Sequence, residues 1–135
     1  MTDAKTEWVR SWLTKAQHDL ASARVLAANT PPLLDTGIYH CQQAAEKAIK
    51  GYLAFLDKEV ERVHDLEVLI RSAMTATPEF RSWMDAGIQL TPYARIYRYP
   101  GFSADPSREQ FEQAMSASEG IYRFVLSLLP PEMHP

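Results

Sequence analysis

Cysteine and glycine are scarce in this 135-residue chain, and it contains no long hydrophobic run. The single cysteine, Cys41, excludes an internal disulfide framework and a multi-cysteine zinc site, and it fits a reducing compartment. The longest stretches without Asp, Glu, Lys or Arg are ten residues, 25–34 and 36–45, whereas a membrane-spanning helix needs roughly 20 apolar residues. Residues 1–10 also lack the apolar core of a secretory signal. We therefore expect a cytoplasmic protein that does not cross a membrane.

An excess of basic charge is also missing, because 14 Lys and Arg stand against 17 Asp and Glu, for a net charge of −3. This balance excludes a protein that coats nucleic acid through charge alone, although a local basic patch remains possible. The sequence has no Walker loop, GxGxxG, GxSxG or HExxH motif. Its four histidines are not spaced as metal ligands on one helical face. We expect neither a metal nor a cofactor.

Proline is abundant, and its nine residues divide the chain into helix-length pieces. Apolar residues recur every three or four positions within these pieces, and no segment alternates with period two. The pattern predicts one all-α domain over 1–135, with its core at about 8–129, built as an up-and-down bundle of four long helices and one short helix. The predicted helices cover about 6–28, 36–57, 65–75, 78 to just before Pro100 with an interruption at Thr91-Pro92, and 108–129, the last after a Ser107–Gln110 capping box.

A polar stripe runs along the predicted second helix. At 100° per residue, His40, Gln43, Lys47 and Lys50 share one side, flanked by Gln42 and Glu46 and opposite an apolar face. One interpretation is a solvated outer face with a Glu46–Lys50 ion pair. The other is a surface that meets a ligand or partner, since His and Gln are less usual on a purely solvated face.

Two residues of the apolar stripes are chemically notable. Asp19 lies near the angular positions of Trp8 and Trp12 in the first helix, where a carboxylate needs a hydrogen-bond donor. A structural pair with an arginine or a tyrosine hydroxyl is favoured over catalysis. Cys41 lies on the apolar side of the second helix, which favours a core residue over a nucleophile.

The densest chemical segment is Tyr93–Pro100, which holds two arginines and three tyrosines. Arginine beside aromatic rings suits phosphate binding combined with base stacking. Alternatively, Tyr93 and Tyr97 belong to the core or an interface, and Arg98 is a C-terminal helix residue favoured by the helix dipole. The sequence leaves both interpretations open.

Taken together, four segments resemble the HEPN domain. They are Trp12-Leu-x-Lys-Ala-x-x-Asp-Leu20, His40-Cys-Gln-Gln-Ala-Ala-Glu-Lys-Ala-Ile-Lys50, His64-Asp-Leu66 and Tyr97-Arg-Tyr-Pro100, in that order. The resemblance covers about residues 8–129. It implies a four- or five-helix bundle that usually dimerises. It also implies one of two activities: pairing with a minimal nucleotidyltransferase, often as a toxin–antitoxin pair, or metal-independent ribonuclease activity.

The ribonuclease members carry an arginine followed, after four to six residues, by a histidine. Arg98 is the counterpart of that arginine, but Ser103, Ala104 and Asp105 occupy the three permitted histidine positions. No other arginine has a histidine at this distance. The catalytic pair is therefore incomplete, whereas the phosphate-binding half is retained in Arg98.

These observations lead to one main hypothesis and two alternatives. The main one is a homodimeric, non-catalytic partner of a nucleotidyltransferase-type protein that contacts nucleotide or RNA. Its expected ligand residues are Arg98, Tyr97, Tyr99, His40, Gln43 and Lys47, while Asp19 and His64 are expected to be structural. The first alternative is an endoribonuclease that uses His40 or His64 in place of the missing histidine. The second is a purely structural interaction module.

Overall fold

The computed structural model describes residues 3–60, 62–101 and 104–135, and all regular structure in these ranges is helical. The predicted all-α class is confirmed. None of the described helices is long and apolar enough to span a membrane. The α-helices are α1 (Ala4–Ala28), α2 (Leu34–Phe55), α3 (Leu66–Met74), α4 (Met84–Leu90) and α5 (Arg108–Leu128). Three 3-10 turns cover Pro78–Trp83, Thr91–Ala94 and Pro131–Met133.

Side-chain caps start three of these helices, because the first backbone N–H groups of a helix lack partners within it. The Asp3 carboxylate accepts from the Thr6 amide at 2.7 Å, and Asp65 accepts from the Glu67 amide at 2.9 Å. At α5, the Ser107 hydroxyl accepts from the Gln110 amide, and the Gln110 side chain accepts from the Ser107 amide. The predicted capping box is therefore present.

The fourth predicted piece differs from the structure. A long helix interrupted at Thr91-Pro92 was expected after Pro78. The interruption is present, because α4 ends at Leu90, but the stretch consists of a 3-10 turn, the seven-residue α4 and a second 3-10 turn. Pro78 and Pro92 each stand in the opening of a 3-10 turn, where their missing N–H costs no internal hydrogen bond. The described part of the bundle therefore has three long helices, α1, α2 and α5, and no long helix lies between α3 and α5.

Helix α2 is the central element, and 15 of its 22 residues are buried. It packs against α1 and α5 along its apolar sides and against α3. Gly51 allows the close approach of α1, since a Cβ at this position would overlap the Leu13 side chain and lie 3.0 Å from Trp12 Cβ. Cys41 is fully buried, as predicted, with its Sγ 3.7 Å from Met115 Sδ.

The central position of α2 overturns the interpretation of its polar stripe as a solvated face. Gln42, Gln43, Glu46 and Lys50 are all buried. Glu46 accepts from Lys50 Nζ at 2.9 Å and from Gln42 Nε2 at 3.1 Å, and its Oε1 lies 2.8 Å from His64 Nδ1. The predicted Glu46–Lys50 ion pair is present, but it is inside the protein. We refer to Gln42, Glu46, Lys50 and His64 as the Glu46 cluster.

Candidate functional site

The segment that follows the second 3-10 turn has a strained backbone at Tyr97. Its φ of 72° lies in the left-handed region, which is unfavourable for a residue with a Cβ. Packing compensates for this cost, because the Tyr97 ring stacks on Tyr93 with centroids 6.2 Å apart. Gln110 Nε2 also donates to the Tyr97 hydroxyl at 3.2 Å. Backbone strain of this kind is concentrated at functional sites, and Tyr97 directly precedes Arg98.

Arg98 is an exposed cation held by aromatic rings instead of a carboxylate. Its guanidinium carbon lies 4.1 Å from the centroid of the Tyr39 ring and 5.8 Å from that of Tyr99. Its Nη1 donates to the Ala94 carbonyl at 3.4 Å. Among the residues that the structure describes, no acidic side chain forms an ion pair with it. The remaining N–H donors of its planar fork are therefore available to an anion.

Arg98 lines two adjoining clefts. The first, of about 190 Å³, is lined by Asp35, Thr36, Tyr39, His40, Tyr97 and Arg98. The second, of about 260 Å³, is lined by Asp35, Tyr97, Arg98, Tyr99, Pro100, Ala104 and Asp105. We call these the His40 cleft and the Tyr99 cleft. Larger grooves elsewhere on the molecule are open and lack this combination of arginine and tyrosines, so the chemistry favours the two clefts at Arg98.

A charged triad extends from the His40 cleft into the protein. His40 Nδ1 lies 2.7 Å from Asp19 Oδ1, and Lys47 Nζ donates to Asp19 Oδ2 at 2.7 Å. Because an ionised carboxylate only accepts, His40 carries its proton on Nδ1, which leaves Nε2 as the second ring nitrogen. The side chain of His40 is 26% exposed, whereas that of Asp19 is 9% exposed.

Asp19 stays ionised despite its position. Burial raises the pKa of its carboxyl, but the hydrogen bonds and charges of His40 and Lys47 outweigh burial, and the net pKa lies below its ordinary value. A structural pair for Asp19 was expected, with an arginine or a tyrosine hydroxyl as partner. Its partners are instead one histidine and one lysine, both from α2.

The structure brings together only some of the predicted ligand residues. His40, Tyr97 and Arg98 line one cleft, and Tyr99 lies in the adjoining one. Lys47 reaches this site only through Asp19. Gln43 and His64 line neither cleft. Gln43 is buried and donates to Gln42 Oε1 at 2.7 Å, and His64 belongs to the Glu46 cluster.

Sequence reasoning missed Asp35 and Tyr39. They stand four residues apart at the start of α2, so they share one helical face, which adjoins that of Thr36 and His40. This i, i+4 relation next to His40 was the available clue. The sequence could not reveal that residues 97–100 line the same clefts as the start of α2. Within 3–60, 62–101 and 104–135, no group of three or more His, Cys, Asp or Glu side chains is arranged to hold a metal ion.

A HEPN domain model matches residues 9–128, which is most of the chain. The protein therefore belongs to the HEPN family, and the resemblance found in its sequence is confirmed. Two solved structures are similar over nearly their whole lengths. TT1696 from Thermus thermophilus has 27% sequence identity and a TM-score of 0.73, with 90% of this chain and 98% of that chain covered.

The second solved structure is ST0689, an archaeal HEPN homologue, with 24% identity and a TM-score of 0.68. This match covers 89% of this chain and 96% of that chain. At this level of identity the likeness concerns the fold alone. A comparison with curated proteins found none that matches.

Proposed function

We propose that this HEPN protein is a non-catalytic partner of a nucleotidyltransferase-type protein and binds nucleotide or RNA phosphate at Arg98. The observation that carries the proposal is the state of Arg98, an exposed guanidinium that stacks on Tyr39 and pairs with no carboxylate of the described chain. An arginine held in this way keeps a planar set of donors that matches phosphate oxygens in a bidentate geometry.

The tyrosines around Arg98 provide an aromatic surface on which the base of a nucleotide can stack. Tyr99 is 61% exposed and adjoins Arg98 in the Tyr99 cleft, so its ring is available to a base. Stacking of a base on an aromatic side chain contributes about 1–3 kcal/mol and tolerates any base. A phosphate at Arg98 with a base at Tyr99 is thus compatible with either a mononucleotide or a short RNA.

The positions that hold the catalytic histidine in ribonuclease relatives support a non-catalytic role. Ala104 and Asp105 line the Tyr99 cleft, and neither supplies the imidazole of a catalytic histidine. Ser103, the first of these positions, lies outside the described residues. Pairing with a nucleotidyltransferase is supported by family membership, since such pairs are what the resemblance implies.

A homodimer with residues 93–102 near its two-fold axis is part of the proposal. Exposed Tyr99 supports this placement, whereas Phe102 lies outside the described residues. Among the other aromatic residues, Trp8 is 53% exposed and could add to an apolar interface, whereas Trp12, Trp83 and Tyr97 are partly buried against the core. Light scattering at tens of micromolar should give about twice 15.3 kDa. A value near the monomer mass would contradict the dimer.

Titration calorimetry with AMP and with a short single-stranded RNA tests the ligand site. Arg98→Ala should weaken binding by about 1.5–3 kcal/mol, the range for hydrogen bonds to charged groups, with little change in melting temperature. Arg95→Ala is the matched control, because Arg95 is an exposed arginine of the same segment that lines neither cleft. Equal losses in both variants, or no binding of either ligand by the native protein, would refute the site.

One observation favours a second candidate function, the endoribonuclease. His40 lines the same cleft as Arg98, and Asp19 holds its Nδ1 as a buried carboxylate holds a general-base histidine. RNA cleavage in EDTA that disappears in His40→Ala would establish this function. We expect no cleavage above background, because no second histidine for the leaving oxygen lines the described part of either cleft. His64 is no substitute, since it lines neither cleft.

A further inference from the structure

Asp35 lines both clefts together with Arg98 but forms no ion pair with it. The carboxylate lies in the first turn of α2, and it lines the His40 cleft and the Tyr99 cleft together with Arg98 and Tyr97. Its Oδ1 accepts from the Thr36 amide at 2.8 Å. Oδ2 accepts no hydrogen bond from any described residue, and Asp35 forms no ion pair with Arg98. One carboxylate oxygen therefore remains open as an acceptor beside the candidate phosphate-binding cation.

A carboxylate oxygen without a hydrogen-bond partner in these clefts favours a ligand that carries hydrogen-bond donors. A phosphate offers only acceptors when it is ionised, so it suits Arg98 and is repelled by Asp35. The ribose of a ribonucleotide carries hydroxyl donors close to its phosphate, and acidic side chains recognise such hydroxyls in other nucleotide sites. The 2′-hydroxyl is also the group that allows a protein to distinguish RNA from DNA.

The charges around the clefts limit how many phosphates a ligand can carry. Within one protomer, Arg98 is the one lysine or arginine among the described lining residues of the two clefts, while Asp35 and Asp105 are both acidic. A triphosphate would place further negative charges against two carboxylates, with no second guanidinium or ammonium from the lining residues to compensate. A single phosphate group can pair with Arg98 and brings less of this repulsion than a triphosphate does.

We propose, building on the function proposed above, that Asp35 is a specificity-determining residue which makes the Arg98 site select ribonucleotides carrying a single phosphate group. The carboxylate accepts from the ribose 2′-hydroxyl while Arg98 binds the phosphate. It discriminates against 2′-deoxyribonucleotides, which lack this donor, and against triphosphates, which it repels. A site built around a substrate hydroxyl rejects analogues without it, because the polar group that should meet the hydroxyl is left unpaired.

Calorimetric titration of AMP, 2′-deoxy-AMP and ATP tests this selectivity. The native protein should bind AMP about tenfold more tightly than 2′-deoxy-AMP and ATP, the scale expected for one hydrogen bond to a charged group. In Asp35→Asn the AMP preference over both competitors should fall to about threefold or less. Asparagine keeps an oxygen for the Thr36 amide, so the start of α2 is preserved. Asp85→Asn removes an equal charge from an exposed position outside both clefts and should keep the native preferences.

The outcomes separate this inference from the function on which it rests. Binding of AMP that depends on Arg98, with equal affinities for 2′-deoxy-AMP and ATP, overturns the role of Asp35 and leaves the phosphate site intact. Unchanged preferences in Asp35→Asn also overturn it. Failure of the native protein to bind AMP overturns the monophosphate selectivity. The short-RNA titration with Arg98→Ala then decides separately whether the phosphate site exists.

Discussion

Replacement of Glu46 by alanine should destabilise this protein more than most single substitutions. The Glu46 and Lys50 side chains are only 5% and 8% exposed, so removing the carboxylate leaves a buried ammonium without its counter-charge. Breaking a buried pair in this way costs about 3–5 kcal/mol. Gln42 loses one acceptor but still donates to the His64 carbonyl at 3.0 Å, so it adds little to this cost.

A loss of this size is a large part of the total stability, which is typically about 5–15 kcal/mol for a domain. For a chain of this length it corresponds to a fall in melting temperature of roughly 10–20 °C. Urea unfolding followed by circular dichroism measures the free energy directly. The slope of the unfolding free energy against urea should stay constant if the native state keeps its compactness.

Two further variants test the cause of the Glu46→Ala effect. His64→Ala should cost less than about 1 kcal/mol, because the His64 side chain is 68% exposed and its pair with Glu46 is screened by solvent. The double variant Glu46→Ala/Lys50→Met should be more stable than Glu46→Ala alone, since it leaves no buried charge. A loss below about 1 kcal/mol in Glu46→Ala, or a double variant no more stable than the single one, would refute the reasoning.

Two further predictions concern Asp19 and Cys41. The folded-state pKa of Asp19 lies below its ordinary value, so its stabilisation is present above the unfolded pKa of about 3.9 and is lost as the pH falls through the folded pKa. Between about pH 5 and pH 3, Asp19→Asn should therefore lose less stability than the native protein. Urea unfolding midpoints that fall equally in the two proteins over this pH range would contradict this. Burial raises the pKa of the Cys41 thiol to about 12, so it should not react with a thiol reagent at about pH 8 until the protein unfolds. Rapid labelling of the folded protein would argue against the buried position.

The sequence predicted the helices where periodicity and caps agree. The end of α1 at residue 28 and the Ser107–Gln110 capping box follow from local chemistry, because each depends on residues within one turn of the chain. The stretch after Pro78 was harder, since a proline at the opening of a turn is compatible with an α-helix or a 3-10 turn. Tertiary packing determines which of the two forms, and the periodicity of apolar residues carries no information about that packing.

The polar face of α2 shows a second limit of sequence reasoning. A helical wheel separates polar from apolar sides, but it does not tell whether the polar side meets water or protein. Gln42, Glu46 and Lys50 satisfy one another and His64, so a polar stripe is compatible with the centre of the bundle. The pairing of Asp19 with His40 and Lys47 depends on how α1 and α2 cross, which no local pattern specifies.

Two polar clusters involve side chains of α2, and we expect one to contribute to stability and the other to binding. The Glu46 cluster satisfies its buried members with protein partners, whereas the triad of Asp19, His40 and Lys47 opens onto a cleft that also contains Arg98. Substitutions in the Glu46 cluster should therefore lower stability while the folded fraction keeps its affinity for AMP. Arg98→Ala should lower the affinity for AMP and leave the stability unchanged. If a substitution in the Glu46 cluster and Arg98→Ala both changed stability, or both changed affinity, the cluster and the cleft would form one network instead of two.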